Sequence, residues 1–185
     1  MNSTSLICVI FVREAVACDE ILFYNPRMIT PVTQALDQLG ISYRVFVHPG
    51  PINSLEQAAR ERGQQPEQII RSLLFRISKE EFVLALVAGP QQIDWKKLRR
   101  HLGQKRLTTA SESEVLHLTG YPRGAVSPFG LPQPIRTLAD PGIFVPQEVS
   151  IGSGVRGTTI ILATADLQQA LPEIELVSLL SQSKS

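Results

Sequence analysis

The chain is poor in the residues that build covalent or redox centres: its 185 residues include two cysteines, two methionines, one tryptophan and three histidines. Cys8 and Cys18 lie together near the amino terminus and cannot frame a disulfide-stapled domain. His48, His101 and His117 stand at none of the spacings that zinc ligands adopt, so neither a metal nor another cofactor is expected. An excess of one charge is missing too: 18 basic and 17 acidic residues leave +1, which excludes a globally basic nucleic-acid-binding surface. No apolar run approaches the roughly 20 residues that span a bilayer, so no membrane partner is expected. Leu6–Val12 is short, has no Lys or Arg before it, and is interrupted by Arg13-Glu14, all of which argue against a secretory signal. Residues 1–27 therefore read as an extension, or as the product of a start codon placed too early, with Met28 opening the domain and the cytoplasm as the compartment.

What is present is enough for one packed domain over 28–185, since 43% of the chain is hydrophobic. Thr30 as N-cap and Pro31 at the first helical position predict a helix to Leu39, closed by Gly40. Tyr43–Val47 reads as a strand, and Ser54 caps a helix ending near Gly63. Ile69–Ile77 and Glu81–Val87 are rich in β-formers and read as a hairpin around Ser78-Lys79-Glu80. Asp94 caps a basic helix ending at Gly103, and Ser111 with Glu114 forms a capping box for a helix ending near Leu118. Strands are expected at 135–138, 148–151 and 158–162, then a helix capped by Thr164 and a last strand at 173–177. Strands and helices interspersed around a hairpin predict an α+β domain with a mixed, strongly curved sheet.

One stretch stands out. Thr119-Gly120-Tyr121-Pro122-Arg123-Gly124-Ala125-Val126-Ser127-Pro128-Phe129-Gly130 gathers three glycines and two prolines around a buried-looking Ala-Val pair. Glycine permits positive φ and close approach, while proline fixes φ and extends the residue before it. Such a segment forms either a set of turns between strands or a rigid wall that presents peptide dipoles to a small polar substrate. Lys96, Lys97, Arg99, Arg100, His101, Lys105 and Arg106 form the densest basic run, a solvated helix face or a phosphate-contacting edge.

Gly120, Tyr121, Gly124, Ser127, Pro128 and Gly130 resemble the glycine-rich signature of the YbaK/ProX family of aminoacyl-tRNA deacylases, Thr-Gly-Tyr-x-x-Gly-Gly-x-Ser-Pro-x-Gly, with Ala125 in place of its second paired glycine. That family includes the editing domain of bacterial prolyl-tRNA synthetases. Pro66-Glu67-Gln68-Ile69-Ile70-Arg71-Ser72-Leu73 is similar to its Pro-x-Gln-hydrophobic-x-Lys-Thr-Leu, with Arg71 where the family has a functional lysine. Gly152-Ser153-Gly154-Val155-Arg156-Gly157 is similar to its Ser/Ala-Gly-Gly-x-Arg-Gly block, Gly152 standing where a serine or alanine is common.

The resemblance covers about Thr30 to Leu180. It implies a sheet coiled toward a barrel and hydrolysis of the ester of mischarged aminoacyl-tRNA by a freestanding enzyme, the wrong amino acid being carried by tRNA for proline. The acceptor end of tRNA is the implied partner, with an aminoacyl-tRNA synthetase a further candidate. Arg71 and Gly124 are the implied catalytic positions. Gly120, Tyr121, Ser127, Pro128 and Gly130 are expected in one pocket wall, and Gly152, Ser153 and Gly154 in the facing wall, with the pocket wider or differently shaped where Gly152 lacks a side chain. His48 is expected as a substrate contact or a structural histidine, and Asp140 as an Asx-type turn residue. A guanidinium stays charged, so Arg71 cannot serve as a general base, and loss of the lysine leaves a second reading open: a non-catalytic module that binds aminoacyl-tRNA or a small ligand.

Overall fold

The computed structural model describes residues 28–172 and 174–181. The expected extension at 1–27, with Cys8 and Cys18, lies outside the described residues. Thr30 caps α1 (Pro31–Gln38) through a reciprocal pair of hydrogen bonds with Thr33. β1 (Arg44–Val47) follows, then α2 (Leu55–Arg62), whose cap Ser54 Oγ accepts from the Gln57 N–H at 3.0 Å. A short 3-10 turn at Pro66–Gln68 leads into β2 (Ile70–Arg76), which turns back as β3 (Phe82–Ala88) in the expected antiparallel hairpin. Asp94 caps the basic helix α3 (Trp95–Leu102). β4 (Thr108–Thr109) and α4 (Glu112–Thr119) come next, the latter opened by the Ser111–Glu114 capping box. β5 (Arg136–Ala139), β6 (Glu148–Gly152), β7 (Thr158–Ala163), α5 (Thr164–Ala170) and β8 (Glu175–Leu176) complete the order.

The strands form two sheets, β1–β7–β6 and the mixed β4–β2–β3–β5–β8. They meet at a parallel bridge between Ile69 and Ser150 and do not close into a barrel. The main core lies between them, where Leu36, Leu74, Leu84, Leu86, Ile151 and Ile160 are buried. A second core on the far face of β3 packs Val83, Ala85 and Val87 against Leu98 of α3 and Leu179. β3 is thus covered on both faces, which is why its sequence Phe-Val-Leu-Ala-Leu-Val-Ala is continuously apolar rather than alternating.

One local expectation changes and another is extended. Thr164 does not cap α5; Ala163 holds the cap position, and the Thr164 hydroxyl donates to the Pro146 carbonyl at 2.5 Å. Asp140 makes its Asx turn to the Gly142 N–H at 2.9 Å, and its other oxygen also accepts from Leu179 and Leu180 N–H at 2.7 and 3.2 Å. One carboxylate therefore pins the C-terminal segment to the end of β5. Among the described residues, no helix is long and apolar enough to cross a membrane, and no cluster of His, Cys, Asp and Glu could hold a metal ion.

Candidate active site

β2 is flanked by β3 along one edge. Along the other it pairs with β4 only at Phe75 and Arg76, and is touched by β6 only through the Ile69–Ser150 bridge. The gap between these attachments is a cavity of about 340 Å³. Because the edge of β2 runs along it, consecutive residues from Ile69 to Leu74 line the space irrespective of which face their side chains take. The Leu74 carbonyl accepts from Ala110 N–H on this edge at 2.9 Å, so by the two-residue alternation of an antiparallel strand the peptide groups of Ser72 face the same opening. The buried Ser72 Oγ has no partner among the described residues.

Arg71 lines this cavity together with Gly124 and Gly152. Its guanidinium donates to the Gln91 carbonyl, its buried Nε has no described partner, and burial lowers its pKa from the usual 12.5. Gly124 is exposed at the rim with φ +90°, a conformation that L side chains rarely adopt. Its N–H makes no hydrogen bond with a described residue. Gly152 has ordinary φ but meets the other wall directly. A Cβ there would collide with the Val126 carbonyl and lie 2.5 Å from that of Ala125. The missing side chain does not widen the pocket, since the space is filled by the opposing backbone, and the Gly154 N–H donates to the Ala125 carbonyl at 2.9 Å beside it.

The remaining cations at the cavity are Arg123, whose guanidinium donates to the Ala110 carbonyl at 2.6 Å, and Arg62. Arg62 ends α2, where the unpaired carbonyls of the last turn favour a cation. Its Nε donates to His48 Nε2 at 3.1 Å and its Nη1 to Ser150 Oγ at 2.7 Å. Because His48 Nε2 accepts, its proton sits on Nδ1, which faces Glu61 Oε2 at 2.5 Å. Gln57 Nε2 donates to the other Glu61 oxygen at 2.8 Å. Burial brings the Arg62 pKa down to about 10, opposed by the nearby Glu61 charge, so the group stays a cation at neutral pH.

The Glu61 carboxyl is held below its ordinary 4.5, first by the His48 hydrogen bond and then by that of Gln57. A carboxylate with a depressed folded pKa contributes stability that is full above its unfolded value and is lost as pH falls through the folded one. Glu61→Gln is therefore expected to melt below the wild type at neutral pH and to converge on it as the pH drops below 4.5, as thermal melts across that range would check.

The profile of a family described as the aminoacyl-tRNA editing domain matches residues 49–170. The chain belongs to that family. This editing domain is 33% identical over 144 residues to the multifunctional Ser/Thr-tRNA deacylase ProXp-y of Escherichia coli strain K12, covering 75% of this chain and 86% of the relative. It is 39% identical over 92 residues to the proline–tRNA ligase of Kosmotoga olearia, an overlap that takes 50% of this chain and 16% of that protein. The solved structure of a candidate trans-editing enzyme for prolyl tRNA synthetase superposes with TM-score 0.74 at 26% identity, covering 82% of this chain and 96% of that one.

Within the editing domain, the other expected site residues stand behind the wall rather than on the cavity. Gly120 is the C-cap of α4. The Tyr121 ring is buried against Gly154, and its hydroxyl shares one proton between the Phe129 and Gly130 carbonyls, both at 2.8 Å. That burial raises the Tyr121 pKa to about 12. Ser127 is fully buried and accepts from Phe129 N–H at 3.3 Å, while Ser153 ties its loop to the Thr158 carbonyl at 3.0 Å. Neither these residues nor Pro128 and Gly130 line the cavity, and His48 reaches it only through Arg62. Arg62, Ser72, Arg123 and Ser150 line it without having been singled out in the sequence. The one signal available for Arg62 was a basic residue in the last turn before Gly63, which is common enough to carry no meaning alone.

Proposed function

We propose that this editing domain is a freestanding trans-editing hydrolase that cleaves the ester of mischarged aminoacyl-tRNA, the amino acid being serine, alanine or cysteine wrongly joined to tRNA for proline. The observation that carries the reading is that Arg71, Gly124 and Gly152, drawn from the three sequence blocks of the resemblance, line a single cavity in a member of this family. The names of the relatives, a Ser/Thr-tRNA deacylase and proline–tRNA ligases, point to the same chemistry.

An aminoacyl ester is already activated, so the protein's part is to position a nucleophile and stabilise the oxyanion. Among the described residues, no His, Cys, Asp, Glu or Lys lines the cavity. The cavity's serine and threonine hydroxyls therefore have no base to activate them, and in this account the attacking group is a held water or the substrate's own ribose hydroxyl, while the Gly124 N–H, the open edge at Ser72 and the Arg71 guanidinium supply donors for the developing charge. Arg71 acts in this account as a fixed cation and never as a base.

The acceptor end also brings phosphates, and this reading assigns them to the basic segment. Six of the 18 basic residues fall within 96–106, no acidic residue occurs between Asp94 and Glu112, and Lys96, Arg100, Lys105 and Arg106 are exposed. The segment runs directly into Thr109 on the cavity rim. Replacing Arg100 and Lys105 with glutamine is expected to weaken tRNA binding and to reduce the dependence of log affinity on log salt by about 0.7–0.9 per lost phosphate contact. Titrations at several salt concentrations measure this.

The function itself is tested by incubating the wild type with a panel of charged tRNAs and following release of the amino acid. Hydrolysis of mischarged species supports the reading; binding with no hydrolysis of any of them overturns it.

A further inference from the structure

The two ends of the cavity are built differently. Thr109, Arg123 and Gly124 at the mouth are exposed, whereas Ile69, Ser150, Ile151 and Thr159 at the inner end are buried, Ser150 completely. Arg62 sits at the inner end, fixed to Ser150 Oγ and His48 Nε2 by two of its nitrogens. Its third nitrogen, Nη2, makes no hydrogen bond with any described residue. A guanidinium so tethered is a rigid, charged donor with one free arm. His48 and Glu61, stacked behind it by hydrogen bonds of 3.1 and 2.5 Å, are positioning residues that hold its plane.

A cation is a poor neighbour for an α-ammonium, which is better served by the open carbonyl edge and the unpartnered hydroxyl of Ser72. It is equally poor for an aliphatic side chain, which would strip water from the charge and offer no acceptor in return. It suits an oxygen. A charged nucleotide keeps its hydration at the exposed mouth, which leaves the buried inner end to the small aminoacyl group.

Resting on the deacylase reading above, we propose that Arg62 is a specificity-determining residue that reads an oxygen on the aminoacyl side chain, so that the preferred substrates are those bearing such an oxygen. Burial of the charge adds to the argument: desolvation lowers the Arg62 pKa to about 10, and a cation held against that cost is well used where a ligand completes its hydrogen bonds.

The test compares seryl and alanyl esters on one tRNA, which differ by a single oxygen, with the wild type and Arg62→Met. The wild type should prefer seryl-tRNA by about tenfold or more in kcat/KM, and Arg62→Met should lose about ten- to a hundredfold more on seryl-tRNA than on alanyl-tRNA, so that the preference collapses. A cooperative thermal melt shows that the variant is folded. Equal losses on both substrates, or a wild type without preference, overturn the assignment and leave the deacylase standing. Should Arg62→Met fail to melt cooperatively, Arg62→Lys answers the same question. A single ammonium cannot hold His48, Ser150 and a substrate oxygen in one plane, so this variant too must lose more on seryl than on alanyl. A folded wild type inert toward every charged tRNA contradicts the deacylase reading itself, an outcome distinct from equal loss in the variants.

Discussion

Arg71→Ala is expected to lower kcat/KM on mischarged tRNA by about 10²–10³, the usual cost of removing one donor aimed at a developing oxyanion. The melting temperature should barely move, because Arg71 is half-buried and its one protein hydrogen bond goes to the Gln91 carbonyl. Arg71→Lys should keep activity within about tenfold, since an ammonium can supply the same charge without the fork of donors. The pair of variants separates charge from geometry. If both fall together, the planar guanidinium matters; if only alanine falls, charge alone suffices. Undiminished hydrolysis by Arg71→Ala would remove Arg71 from the chemistry while leaving the cavity in place.

The second large effect is expected at Gly152, which has no reactive group. Gly152→Ala places a methyl against the carbonyls of Ala125 and Val126, backbone atoms that cannot rotate away. Relief requires the two walls to separate, at a cost of about 3 kcal/mol, the upper part of the range for overpacking. For a domain of this size that lowers the melting temperature by roughly 6–12 °C. Activity should fall by about 10² as well, because a displacement of about 1 Å between positioned groups is enough to spoil a near-attack geometry. Differential scanning calorimetry and single-turnover hydrolysis read the two effects separately. Loss of stability with full activity would mean that the Ala125–Val126 wall does not shape the site.

The contrast between these residues shows what could be read from the chain. The β2–β3 hairpin and the caps at Thr30, Ser54, Asp94 and Ser111 were legible because they are local, set by residues three or four apart. The glycine-rich blocks were legible as segments, but their side chains were not. Tyr121, Ser127 and Ser153 turn inward and bond to their own loops, because a rigid wall needs internal ties as much as an outer surface. At Gly152 an absent side chain could mean space or contact, and the opposing Ala125–Val126 backbone decides for contact. Arg62 was invisible, since its meaning depends on His48, Glu61 and Ser150, which come from β1's end, α2 and β6. Thr164 looked like a cap because threonine before a helical run usually is one, yet the Pro146 carbonyl captured its hydroxyl.

The central claim is that the cavity beside β2 hydrolyses aminoacyl esters and does so selectively. The most direct measurement is the rate at which the purified wild type releases serine, alanine and proline from the same tRNA for proline, each compared with buffer alone. The account predicts rapid release of serine, slower release of alanine, and proline left at the uncatalysed rate. Release of all three at the buffer rate would contradict it.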